Sequence, residues 1–572
     1  MSQPASVANK RITTWSLIKP YWVSSEKWIA RGLLSLVVAI NMIMIAVNAW
    51  FNTWQRVFFD AIQQYNYPVF KHSLLQFTAI AIALILLGSY RMYFRQMIEF
   101  RWRQWLTTQY MREWLLGRAY YHIERDKLVD NPDQRVSIDL QEMASTTLTL
   151  SLDFLSTSVT LLWFSNVLWH LAGSLNLTVC GINITVPGYM VWTGLLYAVV
   201  GSYITHRVNN PLASINYQQQ RVEADFRFSL IRLRENADQI ALYEGEQSEE
   251  KALQGSFEHI RNNWRMIMRY TRRLNLVMVS YSQLAIVFPF IAAAPKYFAQ
   301  VVSYGGYQQT ISAFGTVSSS FSWFISSYPT LAAWRAVTNR LKEFQRIIRP
   351  QLLESVSRAK EHDGIYTRIT NTTSLRVRAL RLLRPDGTPL STIGAIDISP
   401  GSRVLVRGVS GSGKSILLRS MAGLWPFGSG TIEIPANARL MFVPQKSYVP
   451  ICTLKSVLSY STNSNTFTNI DCINVLRDCR LEKLIDKLEV SAHWEQILSP
   501  GEQQRLAIAR VLLQKPDFLF LDESTSALDL DTEAALYQVL RQYLAHAAIV
   551  SVAHRESVQA MHDDRIEVIG DD

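Results

Sequence analysis

Six stretches of the chain, near 31–50, 73–94, 153–172, 187–206, 274–296 and 309–332, are predominantly apolar. Each has the length of helix, about 20 residues, that crosses a hydrocarbon core about 30 Å thick. The pattern changes after residue 348. A mixed polar stretch over 349–368 is followed by short β-type runs (SRVLVRG, ARLMFVP, DFLFLDE, AAIVSVAH) alternating with helix-like runs, the spacing of a parallel sheet with crossover helices. The expected architecture is an α-helical membrane domain of six transmembrane helices over 1–348, a linker over 349–368 and a soluble α/β domain over 369–572. At 572 residues the chain is too long for one ordinary domain, in keeping with this division.

Six spans keep both termini on one side. The connections after the second and fourth spans are long, about 60 residues each, and carry the Arg and Lys load; Arg56, Lys71 and Lys296 are the basic residues of the shorter ones. Because basic loops stay in the cytoplasm, the termini, both long loops and the C-terminal domain are expected there, in the cytoplasmic (inner) membrane of a bacterium. The excess of 57 Lys and Arg over 46 Asp and Glu could answer a nucleic acid, but the basic residues gather at span ends (Arg91, Arg95, Arg101, Arg103; Arg269, Arg272, Arg273; Arg335, Arg340, Lys342). They are read as membrane anchors, with the lipid bilayer as partner and no nucleic acid.

The N-terminal MSQPASVANKR has no apolar h-region after its basic residues, so the first span reads as an uncleaved anchor. The four cysteines, Cys180, Cys452, Cys472 and Cys479, show no CxxC or Cys/His spacing, and neither disulfide nor zinc site is expected. The sixth span carries Ser312, Ser318, Ser319, Ser320, Ser322, Ser326 and Ser327, which either line a watery path or let helices pack closely. Asn41 and Asn48, seven apart on one face of the first span, pose the same choice between pore lining and interhelical hydrogen bonding.

The soluble half carries the chemistry. Gly408-Val409-Ser410-Gly411-Ser412-Gly413-Lys414-Ser415 follows the strand-like Arg403 to Arg407 and precedes the helical ILLRSMAGLW. GxxxxGK[ST] in that setting is a phosphate loop: backbone N–H groups curl around phosphates, Lys414 reaches the β/γ oxygens and Ser415 ligates Mg²⁺. About 110 residues on, Phe518-Leu519-Phe520-Leu521-Asp522-Glu523 is an apolar strand ending in two carboxylates. Asp522 is placed to hold Mg²⁺, and Glu523 to polarise an attacking water.

Leu498-Ser499-Pro500-Gly501-Glu502-Gln503-Gln504-Arg505 resembles the signature sequence of ABC ATPases, Gln445 in FVPQK their Q-loop, Ser526-Ala527-Leu528-Asp529 their D-loop, and His554 in SVAHR their switch histidine. In family order these motifs span nearly all of 370–560. The resemblance implies a P-loop ABC nucleotide-binding domain with ATP and Mg²⁺ as cofactors. It also implies a second copy of the chain, because two such domains pair head to tail and Ser499 and Gly501 of one copy face the ATP held by Lys414 of the other. By the same resemblance His554 holds the γ-phosphate, and Gln445 links Mg²⁺ and the water to the membrane domain.

Two departures stand out. The signature has Pro500 and Glu502 where the commonest form has Gly and Gln, a variant similar to the peroxisomal acyl-CoA ABC transporters and their bacterial relatives. Where many family members place an aromatic under adenine, this chain reads LLRPDG, leaving Arg384 or another residue to serve. In the membrane half, RWRQWLT at 101–107, DNPDQR at 130–135, Glu223 to Arg227 and Arg234 to Asn236, with Asn52, Trp54 and Phe59-Asp60, resemble the SbmA/BacA-like transporters in their ATPase-fused form. The resemblance implies an ATP-driven homodimer taking up peptides or bulky hydrophilic solutes such as cobalamin. The rival readings are an exporter or flippase of acyl-type lipids, and an ATP-gated channel or sensor. The polar stretch from Glu223 to Glu246 reads as a coupling element, or as the solvated face of helices that continue the spans.

Overall fold

The first five apolar stretches fall in helices far longer than a bilayer requires, Lys27–Gln63, Tyr67–Leu115, Leu140–Ala172, Tyr189–Glu235 and Glu246–Phe298, whereas the sixth, 309–332, is divided between a sixth helix of 23 residues, Tyr304–Ser326, and the start of the next, Tyr328–Ser357. The computed structural model describes residues 12–179, 182–357, 364–553 and 555–570; Cys180, His554 and residues 1–11 lie outside them. At 1.5 Å per residue the 53-residue fifth helix is about 80 Å long, well over twice the hydrocarbon thickness. Among the described residues, four of the helical stretches are long and apolar enough to cross a membrane by length and composition, the first, second, third and fifth. The long cytoplasmic loops expected from sequence are therefore helical. The stretch from Glu223 to Glu246 consists of the end of the fourth helix, a short helix Ala237–Leu242 and the start of the fifth, and most of its charged side chains are exposed.

The chain divides by its internal contacts into Met1–Leu352 and Leu353–Asp572. Helix Tyr328–Ser357 runs into the stretch read as linker, and a strand opens at Ile365. In the first unit, large apolar side chains such as Ile85, Leu162 and Ile291 stand exposed on the helices, which suits lipid rather than water. One core joins Leu17 and Tyr21 of the N-terminal helix Thr14–Trp22 to Trp102, Leu106, Leu341 and Phe344; another joins Phe164, Leu168, Tyr189, Phe314 and Val317. Outside the helices, Ser174–Val179 and Ile182–Pro187 pair antiparallel.

Polar side chains inside this unit bind one another. Asn41 is buried and accepts from Arg91 Nη1 at 3.2 Å, while Arg95 Nη2 donates to Thr149 Oγ1 at 2.6 Å. Asn41 thus serves interhelical bonding, and Asn48 is exposed. Asn52 and Gln309, both buried, join the first and sixth helices through their amides at 3.1 Å, and Asp60 accepts from Gly305 N at 2.8 Å. Ser318 and Ser320 are buried in helix packing, whereas Ser319 and Ser326 are exposed. Arg340, read from sequence as an anchor, instead grips Asp139 with Nε at 2.9 Å and Nη2 at 2.7 Å.

The second unit is built on a five-stranded parallel sheet in the order Asp564–Glu567, Arg403–Arg407, Ala548–Val552, Phe518–Asp522, Leu440–Val443. The inner strands are nearly continuous apolar runs because both faces are covered: Leu519, Phe520, Ile549 and Val550 are fully buried. Register aligns Val406 with Val552 and Val552 with Asp522. The chain therefore leaves these strands at one edge of the sheet, where ligands bind in open α/β folds. A second sheet contains Ile365–Thr370, Gly428–Pro435, Leu375–Leu383 and Pro389–Ile393. Helices Leu454–Leu458, Asn469–Asp478 and Pro500–Gln514 pack together with apolar faces that include Leu458, Leu476 and Ile508.

Candidate nucleotide site

The strand Arg403–Arg407 delivers the chain into a loop that turns at Gly413 (φ 97°) and starts helix Lys414–Met421. That φ lies where a side chain is strained. At Gly408 the constraint is space, since a Cβ would lie 2.4 Å from Val568 O and 2.6 Å from Ser412 Oγ. Lys414 Nζ donates to Gly408 O at 2.8 Å and Val409 O at 3.0 Å, folding the ammonium over the loop. Ser412 Oγ is buried with no hydrogen-bond partner among the described residues, as a group awaiting an acceptor would be.

Two pairs complete the sheet edge. Ser415 Oγ donates to Asp522 Oδ1 at 3.0 Å, and Gln445 Nε2 donates to Glu523 Oε2 at 3.1 Å. Burial pushes the Asp522 carboxyl above its ordinary value; the Ser415 bond opposes this and the Glu523 charge adds to it. A nearby cation would reverse that penalty, and a hydroxyl beside a carboxylate is the hard oxygen set that Mg²⁺ takes. Glu523 has φ 48°, an uncommon conformation for a non-glycine residue, of the kind that clusters at functional sites. Its N–H is held by Val552 O at 3.1 Å.

A cleft of about 830 Å³ opens beside the loop. Gly408, Ser410, Gly411 and Ser412 line it, with Arg384, Leu390 and the segment Glu567–Gly570 opposite. That C-terminal segment was not legible as part of the site; it arrives because Asp564–Glu567 pairs with Arg403–Arg407, Glu567 beside Arg407. Ser499 caps helix Pro500–Gln514 in a reciprocal box with Glu502. Gln504 Oε1 accepts from Ala527 N at 2.9 Å and so joins signature to D-loop. Ser499 and Gly501 do not line the cleft, and His554 lies outside the described residues.

A phosphate-type loop and a strand ending in paired acids, carried on one chain with a bundle of membrane-length helices, define a membrane-bound P-loop ATPase. Residues 17–298 match the family described as ABC transporter transmembrane region 2, and residues 394–526 the family described as ABC transporter. The chain is 30% identical to the inner membrane ABC transporter ATP-binding protein YddA of Escherichia coli, over 96% of each. It is 25% identical to the lysosomal cobalamin transporter ABCD4 of Homo sapiens, over 86% of this chain and 84% of that one. Its fold is similar to that of a bacterial Atm1-family ABC exporter with ATP bound, at a TM-score of 0.66 and 16% identity over 94% and 93% of the two chains. The chain belongs to the ABC transporter family. It is a half-transporter, a multi-pass membrane region fused to an ATP-binding domain whose ATPase activity is coupled to transport.

Proposed function

We propose that two copies of this chain, in the cytoplasmic membrane of a bacterium with their ATPase domains in the cytoplasm, take up peptides or bulky hydrophilic solutes such as cobalamin. The observation that carries the substrate class is the likeness over most of the chain to a transporter named for cobalamin. The hydroxyl-bearing sixth helix, with Ser319 and Ser326 exposed, adds support as a wall for a polar cargo.

In this reading the loop N–H groups, Lys414 and Ser412 hold the phosphates, and Arg384 at the cleft edge contacts adenine. Ser415 and Asp522, with Gln445, would hold Mg²⁺, whose chemistry is to neutralise charge on the phosphoryl oxygens. Glu523 orients and polarises the attacking water, and His554 contacts the γ-phosphate. Ser499 and Gly501 of the second copy close the site, so that ATP draws the two ATPase domains together and hydrolysis releases them.

A second reading is favoured by a pocket of about 530 Å³ among the third helix, the sixth and the start of helix Tyr328–Ser357, where Phe154, Trp323, Phe324, Tyr328 and Trp334 would suit an apolar or acyl cargo. Proteoliposomes separate the two. With ATP in the lumen, labelled peptide or cobalamin moving from bath to lumen supports uptake; long-chain acyl-CoA accumulating with ATP outside would replace that reading by export. Glu523→Gln is expected to abolish turnover and keep ATP binding, and Lys414→Ala to lose both. Turnover near that of the parent in Glu523→Gln would remove Glu523 from its role.

A further inference from the structure

The signature helix carries a charge at an unusual place. Ser499, its N-cap, presents the hydroxyl that the shared-site reading directs at the γ-phosphate held by the second copy, and the inference rests on that reading. Here the hydroxyl is already engaged: Ser499 Oγ donates to Glu502 Oε2 at 3.0 Å, and Ser499 N donates to the same oxygen at 2.8 Å. Glu502 is 7% exposed. A buried carboxylate in the first turn already uses the helix end that favours anions, and it would repel an incoming phosphate. A neutral glutamine, the residue of the commonest signature form, brings no such charge.

The structure supplies a counter-charge. Lys483, from the short 3₁₀ segment Glu482–Lys487, sets its Nζ on the other oxygen, Glu502 Oε1, while most of its side chain remains exposed. Arg505 lies further off, at 4.0 Å from Oε1, and its Nη1 donates to Arg480 O. Burial raises the Glu502 carboxyl, but the Lys483 and Ser499 bonds outweigh it and hold the group below its ordinary value. The carboxylate therefore stays ionised and depends on Lys483 for compensation.

We propose that Lys483 is a positioning residue of the shared ATP site: by neutralising Glu502 it frees the Ser499 hydroxyl to turn from the carboxylate to the γ-phosphate. Lys483 acts through Glu502 and touches no substrate. It lies 15 residues before the signature begins at Leu498, outside any nucleotide motif.

The test is steady-state ATPase of the full chain in lipid nanodiscs against ATP concentration. Variants are Lys483→Met, Lys483→Arg, Glu502→Gln, the double variant Lys483→Met/Glu502→Gln, and Ser499→Ala. Lys483→Met is expected to raise KM for ATP about tenfold, as an uncompensated charge beside a phosphate would, and Lys483→Arg to stay within about twofold of the parent. In the Glu502→Gln background the lysine has nothing to neutralise, so adding Lys483→Met should change KM by less than about twofold. An unchanged KM in Lys483→Met, or a tenfold rise that persists beside Glu502→Gln, overturns the proposal. Ser499→Ala keeps the two ideas apart: full turnover there sinks the shared-site reading itself, whereas lost turnover there with an inert Lys483→Met sinks only the role of Lys483.

Discussion

Arg340→Ala is the perturbation whose cost the structure lets one work out. Asp139 is 1% exposed and ends a π-helical turn, Arg135–Asp139, at the start of the third long helix. Arg340 reaches it from helix Tyr328–Ser357, and Arg135 Nη1 adds a third bond at 3.1 Å. Stranding a buried charge costs about 3–5 kcal/mol. Arg135 remains as partial compensation, and Arg340 is itself 37% exposed and screened by solvent, so the expected loss is about 1.5–2.5 kcal/mol. For a unit of this size that lowers the melting midpoint by about 2–4 °C. The assay is thermal unfolding of the purified chain in detergent, followed by tryptophan fluorescence. Asp139→Asn, which removes the charge to be stranded, should cut the cost of Arg340→Ala by more than half. An unchanged midpoint in Arg340→Ala, or the same shift beside Asp139→Asn, would refute the argument.

Three further outcomes can be checked directly. Gly413→Ala forces φ 97° on a residue whose Cβ would lie 3.0 Å from Leu390 Cδ2, a strain of about 1–2 kcal/mol; binding of a fluorescent ATP analogue should weaken about five- to thirtyfold, and unaltered binding would show that the loop yields. Arg384→Ala should raise KM for ATP about threefold, the loss of one exposed guanidinium–ring contact worth ~0.5–1 kcal/mol, with kcat kept; an unmoved KM takes the adenine contact elsewhere. His562 is buried, with Nδ1 2.7 Å from Val558 O and Nε2 2.9 Å from Ser551 Oγ, and burial lowers its pKa from 6.5. Folding thus favours the neutral ring, and its contribution to stability is full above about pH 6.5 and lost as pH falls through the folded value. The melting midpoint of the ATPase unit should therefore fall less between pH 7 and 5.5 in His562→Gln than in the parent.

What could be read from the sequence follows from where each signal is stored. Three of the four β-type runs are inner strands of the parallel sheet and the fourth, Leu440–Val443, is its apolar edge; a strand covered on both faces is a continuous apolar run and needs no partner to be recognised. The fifth strand, Asp564–Glu567, is mostly exposed, so its composition says little, and with it went the wall of the nucleotide cleft. The first five apolar stretches marked helices correctly but not their ends, since hydropathy falls at the membrane surface while the backbone remains helical: helix Tyr189–Glu235 continues through Gln218, Gln219, Gln220 and Arg221. Charged residues were the least legible. Arg340 at a span end has the composition of an anchor, and only the fold, joining it to a residue 201 positions away, shows it serving a carboxylate. Lys483 carries the same lesson into the ATPase unit, because no local pattern marks it and its partner lies 19 residues on. A phosphate loop is short because its ligand is bound by consecutive backbone groups, and so it is written in one place; the charges that balance such a site are set by packing and are dispersed along the chain.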